Sequence, residues 1–259
     1  PCQKRLETLR MHEVALIKGD VGEPATYADA LRESDAVIHT MLDKKNLFGT
    51  DRALFAALER TAPPRRLRRF IYTTGCSIFG KVGTTVMDET QEPHPDHALA
   101  FRRTLEKEAL ALNNVCATVV RPGFMFGRDG WNSVASDWFE MAEGGDCVFR
   151  GDREKGWSWI HIADLAEAYR LVVEADERVV KGEGFHLADE FRPKSLDVLL
   201  ACAAAAGYRG AIRFEGPLKG DNISTWFDQN EFITSKKARE DRKSTRLNSS
   251  HIPLSRMPS

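Results

Sequence analysis

The chain has 259 residues, 42% of them apolar, and a formal net charge of −1. That length builds one large domain or two small ones, and the apolar share can form a core. The near-neutral charge gives no reason to expect nucleic acid or an anionic membrane as a partner. No apolar run reaches the roughly 18 residues of a membrane span, and the opening PCQKRLETLR lacks the apolar centre of a signal peptide. Five scattered cysteines with no CxxC pair fit a reduced, cytoplasmic protein better than a disulfide framework or a zinc site.

Taken in chain order, strands alternate with helices. Val14 to Gly19 (VALIKG) reads as a short apolar strand closed by Asp20 and Val21. Tyr27, Ala30 and Leu31 follow at helical spacing. Ala36 to Thr40 (AVIHT) is a second buried strand. Thr50 is the expected N-cap of a helix from Asp51 to about Arg60, stopped by Pro63-Pro64. The stretch Arg69 to Gly80 (RFIYTTGCSIFG) is a strand that breaks into hydroxyls and a glycine. An open α/β sheet presents a ligand site in that way at its carboxyl edge. Ala98, Phe101, Leu105, Ala109 and Leu112 predict a helix over His97 to Leu112. Further strands are expected at Cys116–Val120, Trp157–Ile162 and Gly184–Ala188. Further helices are expected at Val134–Glu143, at Asp164–Glu174, and from a Ser195 cap to Ala206. Such alternation means βαβ units, hence an α/β fold with a doubly wound parallel sheet.

Two motifs mislead. Gly75 to Val82 comes within one residue of a phosphate-binding loop, but Val82 stands where a Ser or Thr must reach magnesium, and no helix follows. His94 and His97 lie in a proline-containing loop with no further ligand cluster, so no metal is expected. The last segment, Asp241 to Ser259 (DRKSTRLNSSHIPLSRMPS), has no periodicity and four basic residues against one acid. It resembles a sequencing adapter translated in frame, and residues 241–259 are read as a non-native tail.

The remaining motifs, in their order and spacing, resemble an extended short-chain dehydrogenase/reductase of the NAD-dependent epimerase/dehydratase family. The matching stretches are Lys18–Val21, Val37–Thr40, Phe70–Gly80, Val119–Gly127, Trp157–Tyr169 and Ile233–Glu240. The resemblance implies a Rossmann-like domain over 1–240, with a dinucleotide-binding part to about 129 and a smaller substrate lobe from about 130. It implies NAD or NADP as cofactor and a sugar nucleotide or other small hydroxyl or carbonyl compound as substrate. It assigns Asp20 to the adenine amine, with Val21 beside it. It places Thr40, Met41, Leu42 and Thr73 along the cofactor groove, and Pro122, Gly123, Phe124 and Met125 beside the nicotinamide. The residues do not fix the oligomeric state; a homodimer is one option.

Two features of that family are missing. No Gly-rich turn after a strand is present to take the pyrophosphate, and Val14–Gly19 matches the family's third strand, so the chain reads as an internal fragment and its sheet as incomplete. The catalytic Tyr-x-x-x-Lys pair is also absent, with Phe101 and Leu105 aligned to it and Gly75 at the adjacent Thr/Ser position. Neither side chain can move a proton. Arg102 and Glu106, one helical turn apart, either form a substituted catalytic site with Thr74 or are an ordinary surface ion pair. The functional alternatives are therefore an NAD(P)-dependent enzyme with an atypical acid–base group, a non-catalytic NAD(P)-binding regulator, and a fragment inactive as written. Trp131, Trp138, Trp157 and Trp159 are expected in the core or cleft wall.

Overall fold

The computed structural model describes residues 3–63, 66–127, 133–220 and 223–240. The elements run α1 Gln3–Met11, α2 Ala28–Glu33, β1 Ala36–His39, α3 Gly49–Arg60, β2 Arg68–Thr73, α4 Arg102–Leu110, β3 Val115–Pro122 and β4 Phe124–Phe126. They continue with α5 Val134–Glu143, β5 Val148–Arg150, β6 Trp159–His161, α6 Ile162–Glu174, α7 Glu177–Val180, β7 Gly184–Leu187, α8 Ser195–Ala205, β8 Arg213–Glu215, α9 Ile223–Trp226 and α10 Lys236–Glu240.

The central sheet has the order β1-β2-β3-β7, and all its pairs are parallel. It is wound on both faces, because the strands are apolar on both. Phe70 and Tyr72 of β2, with Ala117 and Val119 of β3, pack under Leu54 and Leu58 of α3 and Leu105 and Ala109 of α4. Ile71, Cys116 and Val120 point the other way, onto Leu165 and Val172 of α6. Such continuous burial is what a strand with helices on both sides requires. Two smaller parallel ladders, β4–β6 and β5–β8, lie beyond this sheet. A separate core forms where α5 meets α8, around Ala142, Cys147, Phe149 and Leu199.

Several sequence expectations are corrected. Val14 to Gly19 forms no strand: it pairs with no described strand, and Val14, Leu16 and Ile17 are 42%, 37% and 58% exposed. An apolar β-branched run becomes a strand only where a neighbour takes its backbone hydrogen bonds. Thr50 does not cap α3. It lies within the helix and donates to Asp43 at 2.7 Å, while Asn46 Oδ1 accepts from the Gly49 amide at 3.0 Å. The helix expected from His97 starts at Arg102; residues 97–101 are successive turns, and His97 Nε2 lies 2.6 Å from the Ser77 carbonyl. Ser195 opens α8 without capping it, since Lys194 holds the cap position. The strand Trp157–Ile162 shortens to Trp159–His161, with Ile162 opening α6. The proposed tail 241–259, Trp131 and Pro64 lie outside the described residues.

Candidate active site

Strand alternation builds the site. Past Tyr72, which faces α3 and α4, the next residue on that face is Thr74. On β3, Arg121 follows Ala117 and Val119 on the same face, and His186 of β7 is its register partner. On β1, His39 is the register partner of Tyr72 and stacks on it at 5.4 Å. The carboxyl edge thus presents His39, Tyr72, Thr74 and Arg121 toward the two helices, with His186 beside Arg121 and against Phe79.

The helices answer with charged residues. Glu106 of α4 is fully buried and accepts from Arg121 Nε at 2.8 Å, Arg121 Nη2 at 2.6 Å, Arg103 Nη1 at 3.1 Å and the Thr74 hydroxyl. Burial alone would raise its pKa, but the Arg121 guanidinium, with Thr74 and Arg103, outweighs that and holds the carboxyl below the usual range. Arg102 is also buried, and its Nη2 donates to the Thr73 carbonyl at 2.8 Å. Arg102 and Glu106 therefore do not form a surface pair, and they do not bond to each other. Phe101 packs on Phe48, and Leu105 lies in the core. The side chains that α4 turns to the sheet edge are those of Arg102 and Glu106.

Arg121 and His186 complete the buried network. Arg121 Nη1 donates to His186 Nε2 at 3.1 Å, so His186 keeps its proton on Nδ1, which donates to the Met87 carbonyl at 3.2 Å. Burial, then the Arg121 charge, pushes the His186 pKa down to about 3. On the α3 side, Tyr72 donates to Asp51 Oδ2 at 2.7 Å, and His39 Nε2 lies 3.2 Å from Asp51 Oδ1. Burial lowers the His39 pKa; Asp51 opposes that shift and Arg102 adds to it.

The expected cofactor residues fall in several places. Thr40 is exposed at the end of β1, with Met41 and Leu42 half-buried behind it. The Thr73 hydroxyl points to the opposite face, 2.8 Å from Tyr169 of α6, so only its backbone faces the site. Pro122 and Gly123 are buried; a Cβ on Gly123 would meet the Ser158 carbonyl at 2.5 Å. Phe124 stacks on Trp157 at 4.2 Å, and Trp157 lies parallel to Trp138, so these tryptophans and Trp159 form an aromatic cluster behind the turn. Met125 is 38% exposed. Asp20 is exposed and accepts from the Gly22 amide at 2.8 Å, while Val21 packs on the core. Sequence reasoning missed Arg121, Arg103, His186, His39, Asp51 and Tyr72. A charged residue ending the otherwise apolar run CATVVR was the available signal for Arg121.

A dinucleotide suits part of this edge. A Cβ on Gly75 would meet only the Pro122 carbonyl, at 3.8 Å, so the space over that turn is open. Exposed Thr40 and Met125 flank the same edge. The pyrophosphate is not matched, because no Gly-rich strand–turn–helix occurs in the sequence. Among the described residues no helix is long and apolar enough to cross a membrane.

Comparison with known proteins places these features. The chain is 28% identical over 108 residues to the uncharacterized protein y4nG of Sinorhizobium fredii, a match that takes in 39% of this chain and 27% of that protein. Among solved structures it is similar to dTDP-glucose 4,6-dehydratase from Bacillus anthracis in complex with NAD, with TM-score 0.76 and 14% identity over 93% of this chain and 77% of that one. The UDP-glucose 4-epimerase of Thermotoga maritima, with UDP-glucose, gives TM-score 0.72 at 14% identity over 88% and 77%. That of Thermus thermophilus, with NAD, gives 0.68 at 17% over 86% and 77%. At these identities the likeness shows the fold. The sequence profile of the NAD dependent epimerase/dehydratase family matches residues 2–188, and the chain belongs to that family.

Proposed function

We propose that this chain is part of an NAD- or NADP-dependent protein acting on a sugar nucleotide or another small hydroxyl or carbonyl compound, with Thr74, Arg102 and Glu106 in place of the family's usual catalytic group. The observation that carries the reading is the buried Thr74–Glu106–Arg121 assembly at the carboxyl edge. A structural ion pair alone would not need to hold a hydroxyl in the mouth of the site.

The geometry assigns roles. Glu106 accepts the Thr74 proton and fixes that hydroxyl, so the remaining lone pairs of Thr74 Oγ1 are left to accept from a substrate hydroxyl. Arg121 and Arg103 keep Glu106 anionic. Arg102, held by the Thr73 carbonyl, supplies a fixed positive charge against a substrate oxygen that gains negative charge. Thr40, Met41 and Leu42 on one side, and Gly75 and Pro122 to Met125 on the other, would line a nicotinamide and its ribose. Asp20 and Val21 would stand at the adenine end. The cofactor, when bound, supplies hydride acceptance or donation. Residues from about 130 to 240 serve in this reading as the substrate lobe.

A second reading, an NAD(P)-binding regulator without turnover, is favoured by one observation. Glu106 is held below the usual carboxylate range, and a guanidinium does not give up a proton near neutral pH, so this pair offers no group that titrates there as a general acid or base. Steady-state oxidation of NADH or NADPH with carbonyl substrates, oxidised UDP-sugars included, separates the two. Turnover that falls at least tenfold in Thr74→Ala supports the enzyme. Saturable cofactor binding with no turnover supports the regulator. Absence of cofactor binding by the protein that contains this chain overturns both.

A further inference from the structure

Residues 229–234 form a strap laid between two other parts of the chain. On one side the Glu231 amide donates to the Gly156 carbonyl at 3.0 Å, and the Ser158 amide donates to the Glu231 carbonyl at 2.9 Å. On the other side the Met87 amide donates to the Phe232 carbonyl at 2.8 Å, and the Thr234 amide to the Met87 carbonyl at 3.0 Å. Side chains add to these bonds. Trp157 Nε1 donates to the Gln229 carbonyl at 3.1 Å, Asn230 Nδ2 to the Gly83 carbonyl at 2.6 Å, and the Ile233 amide to Ser158 Oγ at 3.0 Å. The Met87 carbonyl also takes the His186 Nδ1 proton, which joins the strap to the Arg121–Glu106 network.

In the middle of this segment sits a carboxyl without a counter-charge. Glu231 is 1% exposed, its Oε1 accepts from Gln229 Nε2 at 2.8 Å, and its Oε2 has no partner. Among the described residues it makes no ion pair. The cations on the neighbouring segments are engaged elsewhere: Lys155 with Asp228 and the Arg150 carbonyl, and Arg192 with Glu190 and the Ile233 carbonyl. From the turn after β2 the group facing Glu231 is the buried Cys76 thiol, pushed up by burial and then by Glu231 itself. On the Met87 side His186 is neutral near pH 7, and Asp88 accepts from Thr90. An isolated charge is costly to bury, so the acid keeps its proton while the strap is shut; burial holds its pKa well up, against the pull of the Gln229 bond. We infer that residues 229–234 are a pH-operated strap, shut while Glu231 is a neutral acid and released as Glu231 ionises. Release frees Trp157, which stacks on Phe124, and the Met87–His186 link together. The shut form binds one proton more than the open form between the ordinary glutamate value of 4.5 and the raised one, so closure is firmest below that value and weakens as pH rises. The strap works in this way whether the chain belongs to an enzyme or to a regulator.

The test is amide hydrogen exchange on the full chain, read by NMR at Glu231, Ile233 and Thr234 at pH 6.5 and 8.0, each rate divided by that of an unstructured peptide at the same pH. His186 stays neutral over that range, so its titration does not enter. One linked proton changes an opening equilibrium by up to about tenfold per pH unit. The expected result is strap protection that falls at least fivefold between the two pH values in the unmodified chain and less than twofold in Glu231→Gln. The strap amides should also be less protected than that of Val119, which β3 buries and bonds to the Glu183 carbonyl, because the strap opens locally. Strap amides as protected as Val119 would mean that the segment opens only when the molecule unfolds. An equal fall in Glu231→Gln would place the titration in another group. Either result overturns the inference. Should Glu231→Gln fail to fold, the unmodified chain decides: a fivefold fall at strap amides less protected than Val119 sustains the strap, and a flat profile overturns it.

Discussion

Glu106 and Arg121 show how a buried charge pair depends on completeness. Two charges removed from water are tolerated only when their geometry and remaining hydrogen bonds are good, and here the carboxylate receives two bonds from Arg121, one from Arg103 and one from Thr74. Breaking such a pair from one side leaves the other ion uncompensated. Glu106→Gln keeps the shape but strands Arg121, which is 1% exposed, with only His186 and a neutral amide beside it. It is expected to lower unfolding free energy by about 3 kcal/mol, measured by urea denaturation at pH 7. Thr74→Ala, by contrast, removes a half-buried hydroxyl and should cost about 1 kcal/mol. A Glu106→Gln variant as stable as the unmodified protein would mean that the pair contributes nothing net.

At the scale of elements, α4 carries two incompatible faces one residue apart. Leu105 and Ala109 lie in the apolar core under the sheet, while Arg102 and Glu106 reach the carboxyl edge. Alignment on the sequence puts Phe101 and Leu105 at the family's catalytic positions, but one residue along a helix turns a side chain by about 100°. The helix therefore offers the site Arg102 and Glu106. Restoring a lysine at 105 would bury an unpaired ammonium among Leu58, Phe70 and Val119. Leu105→Lys is expected to lose more than about 3 kcal/mol, or to fail to fold, with no gain in turnover. The outcome is read from denaturation midpoints and from NADH oxidation; a stable, active Leu105→Lys protein would show that the core face has been wrongly placed.

At the scale of the whole molecule, the carboxyl edge joins groups from α3, α4, β1, β2, β3 and β7, and its protonation is linked to folding. His186 titrates near its ordinary pKa in the unfolded chain but at about 3 when folded. The folded state then binds fewer protons than the unfolded state between those values. Stability from this group is flat above pH 6.5 and falls as pH drops toward 3, by about 1.4 kcal/mol per unit. His186→Gln should remove that slope, so its stability relative to the unmodified protein should rise by about 2 kcal/mol between pH 6.5 and 5. Urea titrations at the two pH values measure it. Glu106 adds a separate loss in a lower window, because its lowered folded pKa contributes stability that is complete above the ordinary glutamate value and disappears as pH falls through the folded one.

The sequence by itself determined the α/β class, the parallel sheet and the strand–turn at Phe70 to Gly80, because apolar runs and helical spacing are local properties of the chain. It also singled out Thr74, Arg102 and Glu106, through their place in a familiar order of motifs. It misjudged Val14–Gly19, whose pattern suits a strand but which has no described partner, and Thr50, whose hydroxyl goes to Asp43. Only the tertiary structure decided that Glu106 bonds to Arg121 and Thr74, that the Thr73 hydroxyl turns to Tyr169, and that His39 meets Asp51. Those residues lie between 12 and 96 positions apart, and their meeting depends on strand register and helix rotation. A one-residue change in either would turn every one of these side chains to another face.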